Sequence, residues 1–255
     1  MNLRRSLFYQ KLLTCTLVAL LFSAIGFPLI CLKAQAQGFG KPPGSSRAGG
    51  VRGECFAVDR ERPLIALVDG SNPALTTQVH PTFLFYIPYS QTPYPAQDGR
   101  DYRVTTAEFE LLDENENPVL KNQKIVLLLP EKAGIVKVTL PSTEVSLQPD
   151  QEYFWIFRVI CDSKDNSANP SVAGWIKRVR VGSSENLWFD RLDQLAQSPM
   201  NYLEQWTQLL REVDPKLQDL AQAPVVELKP EALGTRRREG NACYNQLPIR
   251  TYGAQ

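Results

Sequence analysis

A chain of 255 residues with 28 Lys and Arg against 27 Asp and Glu is close to neutral, which leaves no electrostatic footprint for nucleic acid or for an anionic membrane surface. A single histidine excludes a histidine-based metal site by count, and five cysteines make the redox compartment matter. The length suffices for one β-sandwich of about 100 residues and an appended element.

The N-terminus carries Arg4, Arg5 and Lys11 with no acid, then an apolar run from Leu12 to Cys31, then Ala34-Gln35-Ala36. Basic, apolar and small-x-small in that order predicts a secretory signal peptide over residues 1–36, cut after Ala36. The run approaches the roughly 20 residues that span a bilayer, so an uncleaved anchor is the alternative. Gly26 and Pro28 interrupt its end and favour cleavage. Membrane attachment is expected only without cleavage, and either outcome makes the chain periplasmic or extracellular. No small residue precedes Cys31, so a lipid anchor is not expected. Cleavage removes four cations and no acid, leaving 28 − 4 = 24 against 27, or −3.

Residues 37–54 are rich in Gly, Pro and Ser and read as a flexible linker. Residues 55–182 then hold seven strand-like segments. They are Pro63–Val68, Thr82–Ile87, Thr105–Leu112 with a turn into Pro118–Leu120, Lys124–Leu129, Gly134–Leu140, Tyr153–Cys161 and Val172–Val181. Thr82–Ile87 is a near-continuous apolar run of the kind found in a sandwich core. Short strands at sandwich spacing, with no helix among them, predict an all-β sandwich. In Val172–Val181 the alternation is imperfect and leaves the buried face undecided. Between Leu147 and Tyr153, Pro149 and Asp150 turn a corner, and Tyr153, Trp155, Phe157 and Val159 share one face of the next strand. A tyrosine just after such a corner is a tyrosine corner, resembling that between the fifth and sixth strands of fibronectin type III domains. The expected fold is therefore mainly β, an immunoglobulin- or fibronectin-III-like antiparallel sandwich followed by a short C-terminal helical segment.

That segment spans residues 183–223. Ser184 can cap a helix with Leu187, Trp188, Leu192, Leu195 and Ala196 on one stripe. Ser198-Pro199 opens a second with Tyr202, Trp206, Leu209, Leu210 and Val213, and Asp214-Pro215 a shorter third with Leu217, Leu220 and Ala221. Such helices cannot bury two tryptophans alone. We expect them to dock on the sandwich with one stripe and to leave part of the Trp206–Val213 face for a partner. Residues 224–255 are expected to form a flexible tail, with proline, glycine and the Arg236–Arg238 run from Lys229 onward.

Cys55, Cys161 and Cys243 remain after cleavage. Cys55 and Cys161 flank core strands, whereas Cys243 lies in the tail. Export favours a Cys55–Cys161 disulfide, contributing on the order of 4 kcal/mol. Two buried thiols are the alternative.

The segments PLIALV, HPTFLFYIPY, AEFELLDENENPV, GIVKVTLP, EYFWIFRVICD and GWIKRVRV, in that order, resemble the cyanobacterial domain-of-unknown-function family 928 (DUF928) over roughly Cys55 to Ala223. The resemblance implies that Cys55 and Cys161 fall at recurrent positions, which supports their pairing. It implies a cyanobacterial envelope or exterior and no particular activity.

No residue set marks catalysis, and neither cofactor nor metal is expected. His80 precedes Pro81 at a strand entry, with no G-x-S-x-G in the chain, and reads as structural. Asp113-Glu-Asn-Glu-Asn117 has oxygens at positions 1, 3 and 5 of a calcium loop, but Pro118 and Lys124 stand where glycine and glutamate belong, so a turn is expected. Asp162, Asp165, Asn166 and Asn169 suggest a solvated loop, with an adventitious cation second. Tyr89, Tyr94 and Tyr102 lie in a Pro-rich loop expected to share an end of the sandwich with the Asp162–Pro170 loop. They form a binding surface or, as preferred, fold back over the core.

Three functional classes follow. The first is a non-catalytic envelope interaction module, binding an envelope protein or a second copy through Trp206 and the helices or through the loop end. The second is a glycan-binding sandwich using Tyr89, Tyr94 and Tyr102. The third is a hydrolase using carboxylates such as Glu108, Glu110 or Asp162.

Overall fold

The computed structural model describes residues 43–48, 57–91, 94–95, 101–102, 104–182 and 186–231. The signal segment, Cys55, Cys243, Ser184 and the chain beyond 231 lie outside the described residues, as do the side chains of Tyr94 and Tyr102. The strands are β1 (Ile65–Ala66), β2 (Ala74–Thr76), β3 (Thr82–Ile87), β4 (Tyr94–Pro95), β5 (Asp101–Tyr102), β6 (Thr106–Leu112), β7 (Lys124–Leu128), β8 (Gly134–Thr139), β9 (Glu152–Ile160), β10 (Ser171–Arg178) and β11 (Val226–Glu227). A four-stranded sheet runs β1-β3-β8-β11 and a five-stranded sheet β2-β10-β9-β6-β7, while β4 and β5 pair by themselves. Each of the seven segments read from sequence contains a strand. The short β2 lacks an alternating pattern and is held as an edge, parallel to β10.

Cross-sheet rings show that the two large sheets pack face to face. Phe85 stacks on Phe157 with centroids 4.1 Å apart, and Phe83 lies 4.8 Å from Phe109 and 5.9 Å from Trp155. Strand alternation puts Tyr153, Trp155, Phe157 and Val159 inward, as expected. The ambiguity at β10 has a physical cause: a large apolar side chain is buried on each of its faces. Val172 and Ile176 sit opposite Phe157 and Tyr153 on the inner face, whereas Trp175 sits opposite Phe154 on the outer one, ring against ring at 5.1 Å. Gly174 faces Trp155, and a Cβ there would stand 2.6 Å from the indole, so glycine makes room for the ring.

The corner before β9 is built as the sequence suggested. Asp150 takes a φ of 64° to turn it, Gln148 N donates to the Tyr153 hydroxyl at 3.1 Å, and that hydroxyl donates to Gln151 Oε1 at 3.0 Å. Tyr153 is buried. Tyr153→Phe should therefore cost about 1 to 2 kcal/mol, because the Gln148 amide loses its partner. Denaturant titration checks this, and a neutral effect would mean that the hydroxyl does not hold the corner.

Two helices follow, α1 (Trp188–Gln197) and α2 (Leu203–Val213). The Ser198-Pro199 signal starts a 3-10 turn, Pro199–Tyr202, ahead of α2, and Ser198 makes no side-chain cap. Asp214-Pro215 also starts 3-10 structure, Pro215–Leu220, with the Asp214 carboxylate accepting from Lys216 N at 2.9 Å. Helix α1 plugs one end of the sandwich. Phe189 meets Phe83 at 5.2 Å, Trp188 Nε1 donates to Leu67 O at 2.9 Å, and Asp190 accepts from the Thr77 amide and hydroxyl.

The second helix and its 3-10 extension serve the outer face of the smaller sheet. Register places Ile65, Tyr86 and Ile135 side by side there with Leu84, and all four are buried. From that face the Tyr86 hydroxyl donates to Asp59 at 2.5 Å and Arg62 Nε donates to the same carboxylate oxygen at 2.6 Å. Arg62 also donates to Lys216 O at 3.1 Å, and Arg47, paired opposite Ile65, reaches Asp214. Burial raises the Asp59 carboxyl, but the hydrogen bonds from Tyr86, Arg62 and the Glu61 amide outweigh it, and its pKa falls below 3.8. Burial, then the bond to Asp59, raises the Tyr86 phenol well above 10.

Both terminal segments depart from the expected linker and tail. Residues 45–48 exchange backbone bonds with Ala173 in one sheet and with Leu64 and Ala66 in the other. Residues 226–231 do the same on the opposite side of the sandwich, pairing first with β8 and then with β7. Composition under-weighted them because an unpaired sheet edge offers backbone partners to any extended chain, whatever its side chains.

Candidate functional site

Trp206 is the main correction. It was expected to face a partner, yet its side chain is wholly buried within the chain, as are those of Leu209 and Leu210. The reason is non-local: the outer face of the smaller sheet carries the buried apolar patch Ile65, Leu84, Tyr86 and Ile135, so the helical stripe has a surface of its own chain to cover.

The loop after β3 divides. Tyr89 is 4% exposed and folds over the core, and burial pushes its phenol up to about 12. Tyr94 and Tyr102 pair opposite each other in the β4–β5 ladder. The β6–β9 register, Thr106 against Ile160, puts this loop at the same end as the Asp162–Pro170 loop, as expected. Tyr89 has a consequence at high pH. Its unfolded phenol ionises near 10, so stability present below pH 10 is lost between pH 10 and about 12, by about 2 to 3 kcal/mol. Tyr89→Phe should reduce that loss without abolishing it, because Tyr86 is raised as well. An alkaline denaturation profile unchanged by the substitution would contradict this.

The polar loops bond to themselves. Asp113 Oδ1 accepts from the Asn115 and Asn117 amides at 2.8 and 2.9 Å, and these bonds, that from Asn117 foremost, hold its pKa down. Asn169 laces the other loop, accepting from the Cys161 and Asp162 amides and donating to Asp162 O. Asp165 accepts from the Ser167 hydroxyl and amide, which lower its pKa in that order. Among the described residues, no group of three His, Cys, Asp or Glu is placed to hold a metal ion. Cys161 is disulfide-bonded, and both Cys55 and Cys243 lie outside the described residues. Glu108 and Glu110 sit on the outer face of the larger sheet, joined by Arg158 at 3.9 and 2.8 Å, with Lys124 on Glu108 at 2.7 Å. Asp162 is not brought to them; its Oδ1 accepts from the Lys164 amide in the end loop.

The residues that converge on a concave surface are others. Between β7 and β8, where the larger and smaller sheets part, runs a groove of about 480 Å3. Ile125 and Leu127 form one wall, Val138, Leu140 and Pro141 the other, and His80, Thr139 and Ser142 the mouth. His80 is fixed there by a 3.1 Å contact between its Nε2 and Ser146 Oγ. The C-terminal segment crosses the groove. Leu228 N donates to Lys137 O at 2.9 Å, Leu128 N to Lys229 O at 3.1 Å and Glu231 N to Val126 O at 2.8 Å. Lys137 Nζ lies 3.5 Å from the Glu227 carboxylate, and Leu228 is the segment's buried side chain. The alternation in Val226-Glu227-Leu228-Lys229 was the available sequence signal, diluted by its proline-rich surroundings. A second cleft of about 650 Å3, between α1 and α2, is more polar, with Arg191, Gln194, Tyr202, Glu204, Gln205 and Gln208 around Leu195.

No curated protein and no solved structure matches the chain. A family model does match, over residues 47–225, which takes in both large sheets up to β10, the helices and both walls of the β7–β8 groove. The chain therefore belongs to the family described as Domain of Unknown Function (DUF928).

Proposed function

We propose that the chain is an exported, non-catalytic interaction module of the cell envelope. It is built on a sandwich of the immunoglobulin and fibronectin III type and holds a protein partner in the groove between β7 and β8. Three strands against four, β1-β3-β8 facing β10-β9-β6-β7, support that sandwich type, as does the tyrosine corner at Tyr153. The order of basic, apolar and small residues over 1–36 supports export. A disulfide from Cys55 to Cys161 suits an oxidising compartment.

The observation that carries the interaction reading is the groove itself. Its walls are apolar, two strand edges flank it, and an extended segment lies across it by backbone bonds to both sheets. That is the geometry of recognition by strand addition, in which main-chain bonds supply affinity and a side-chain pocket supplies selectivity. Capture of proteins from envelope extract by the immobilised mature chain tests it. Thr139 is exposed at the groove mouth, so Thr139→Arg should lay a long cation across the entrance and cut partner capture by tenfold or more. The same partner captured equally by both chains would place docking elsewhere, and no partner at all would remove the interaction reading.

A further inference from the structure

We propose that residues 226–231 are a displaceable resident strand, and that the groove takes in their place an extended protein segment with an acid followed by a bulky apolar residue. This rests on the groove as the docking site and names the chemistry of its occupant.

Three observations carry it. The resident strand is weakly held for something lying in an apolar groove. Leu228 is its buried side chain, while Val226, Glu227, Lys229 and Pro230 are exposed. Among the described residues the groove beside Leu228 is open over about 480 Å3, so a larger side chain at that position has room to reach wall that leucine does not touch. Finally, the family match contains both walls and ends at Val225, immediately before the strand.

The backbone pattern sets what each position of an incoming segment needs. At the place of Glu227 an acid meets Lys137, as Glu227 does at 3.5 Å. At the place of Leu228 an aromatic or other large apolar side chain enters between Leu127 and Val138. The next residue projects outward and is unconstrained. The position after that pairs with Leu127, but the bonds to β7 come from its neighbours, Lys229 O and Glu231 N. Its own N–H is not used there, which is why proline sits at 230 without loss. Leaving and entering strands thus use the same edge bonds, and the contest between them is decided by the side chain in the pocket.

The test uses the full chain and fluorescently labelled peptides spanning residues 225–232, one native and one carrying Leu228→Trp. The Trp peptide should bind at least tenfold tighter than the native peptide. A full chain with Leu228→Asp, whose own strand has lost its anchor, should bind both peptides at least tenfold tighter than the unaltered chain. Equal affinity of the two peptides, or no gain in the Leu228→Asp chain, overturns the proposal. Should that variant not fold, hydrogen exchange on the unaltered chain decides. The Leu128 and Leu228 amides should exchange faster than those of the β3–β8 ladder, and the Trp peptide should slow Leu128. Protection equal to that ladder overturns the proposal. Failure of the peptide assay while Thr139→Arg still abolishes capture would remove strand displacement alone and leave the groove as the docking site.

Discussion

Trp206→Ala should destabilise the chain by about 3 to 5 kcal/mol, the cost of emptying a large aromatic from a packed interior. Against the 5 to 15 kcal/mol that holds a typical domain together, this is a large fraction of the whole. The residue is 0% exposed and belongs to the same buried cluster as Leu209, Leu210, Leu217 and the strands beneath them. A cavity at this point also loosens the 3-10 turn after α2, where Arg47 meets Asp214 and Arg62 bonds Lys216 O. The Trp206 indole N–H has no hydrogen-bond partner among the described residues. Trp206→Phe therefore breaks no hydrogen bond to the described residues and should cost clearly less than Trp206→Ala. Denaturant unfolding of the two variants measures the difference. A Trp206→Ala chain of unchanged stability that fails to capture its partner would return this residue to an interface.

The seven core strands were legible as short apolar segments at sandwich spacing, and β6 and β9 by the alternation that appears where one face of a strand is buried and the other is wetter. Tyr153 was legible because its role is local, five residues from the amide it bonds. Two features were not legible, and both for non-local reasons. A stripe such as Trp206, Leu209 and Leu210 says that something covers it and cannot say what; the buried cluster it joins includes Ile65, Leu84, Tyr86 and Ile135, at least 70 residues earlier in the chain. In β3 the run TFLFYI is buried at every position, and that continuity was the available hint that both faces of the smaller sheet are covered. The terminal segments 45–48 and 226–231 are held chiefly by backbone bonds, which leave little trace in composition. The groove was invisible for the same reason: its walls read as ordinary core residues, and only the divergence of the two sheets opens it.

Truncation after Gly182 should abolish the cooperative fold of the sandwich rather than release it as an independent unit. Removing the helical segment uncovers the outer-face side chains Ile65, Leu84, Tyr86 and Ile135, all buried in the whole chain. At roughly 1.5 to 3 kcal/mol for each large apolar side chain taken from water, four of them amount to about 6 to 12 kcal/mol, comparable with the stability of an entire domain. Further losses come at the end of the sandwich, where Phe189 leaves Phe83 and the Leu67 carbonyl loses the Trp188 indole. The Asp190 carboxylate is withdrawn from Thr77 as well. The contiguous apolar face that remains is of the kind that drives aggregation. The truncated chain should thus be insoluble, or bind a hydrophobic dye and melt without a transition, whereas the full chain melts as one unit. A truncated sandwich that stays soluble and unfolds cooperatively would mean that the smaller sheet does not depend on the helices, and that their buried stripe is available to cover something else.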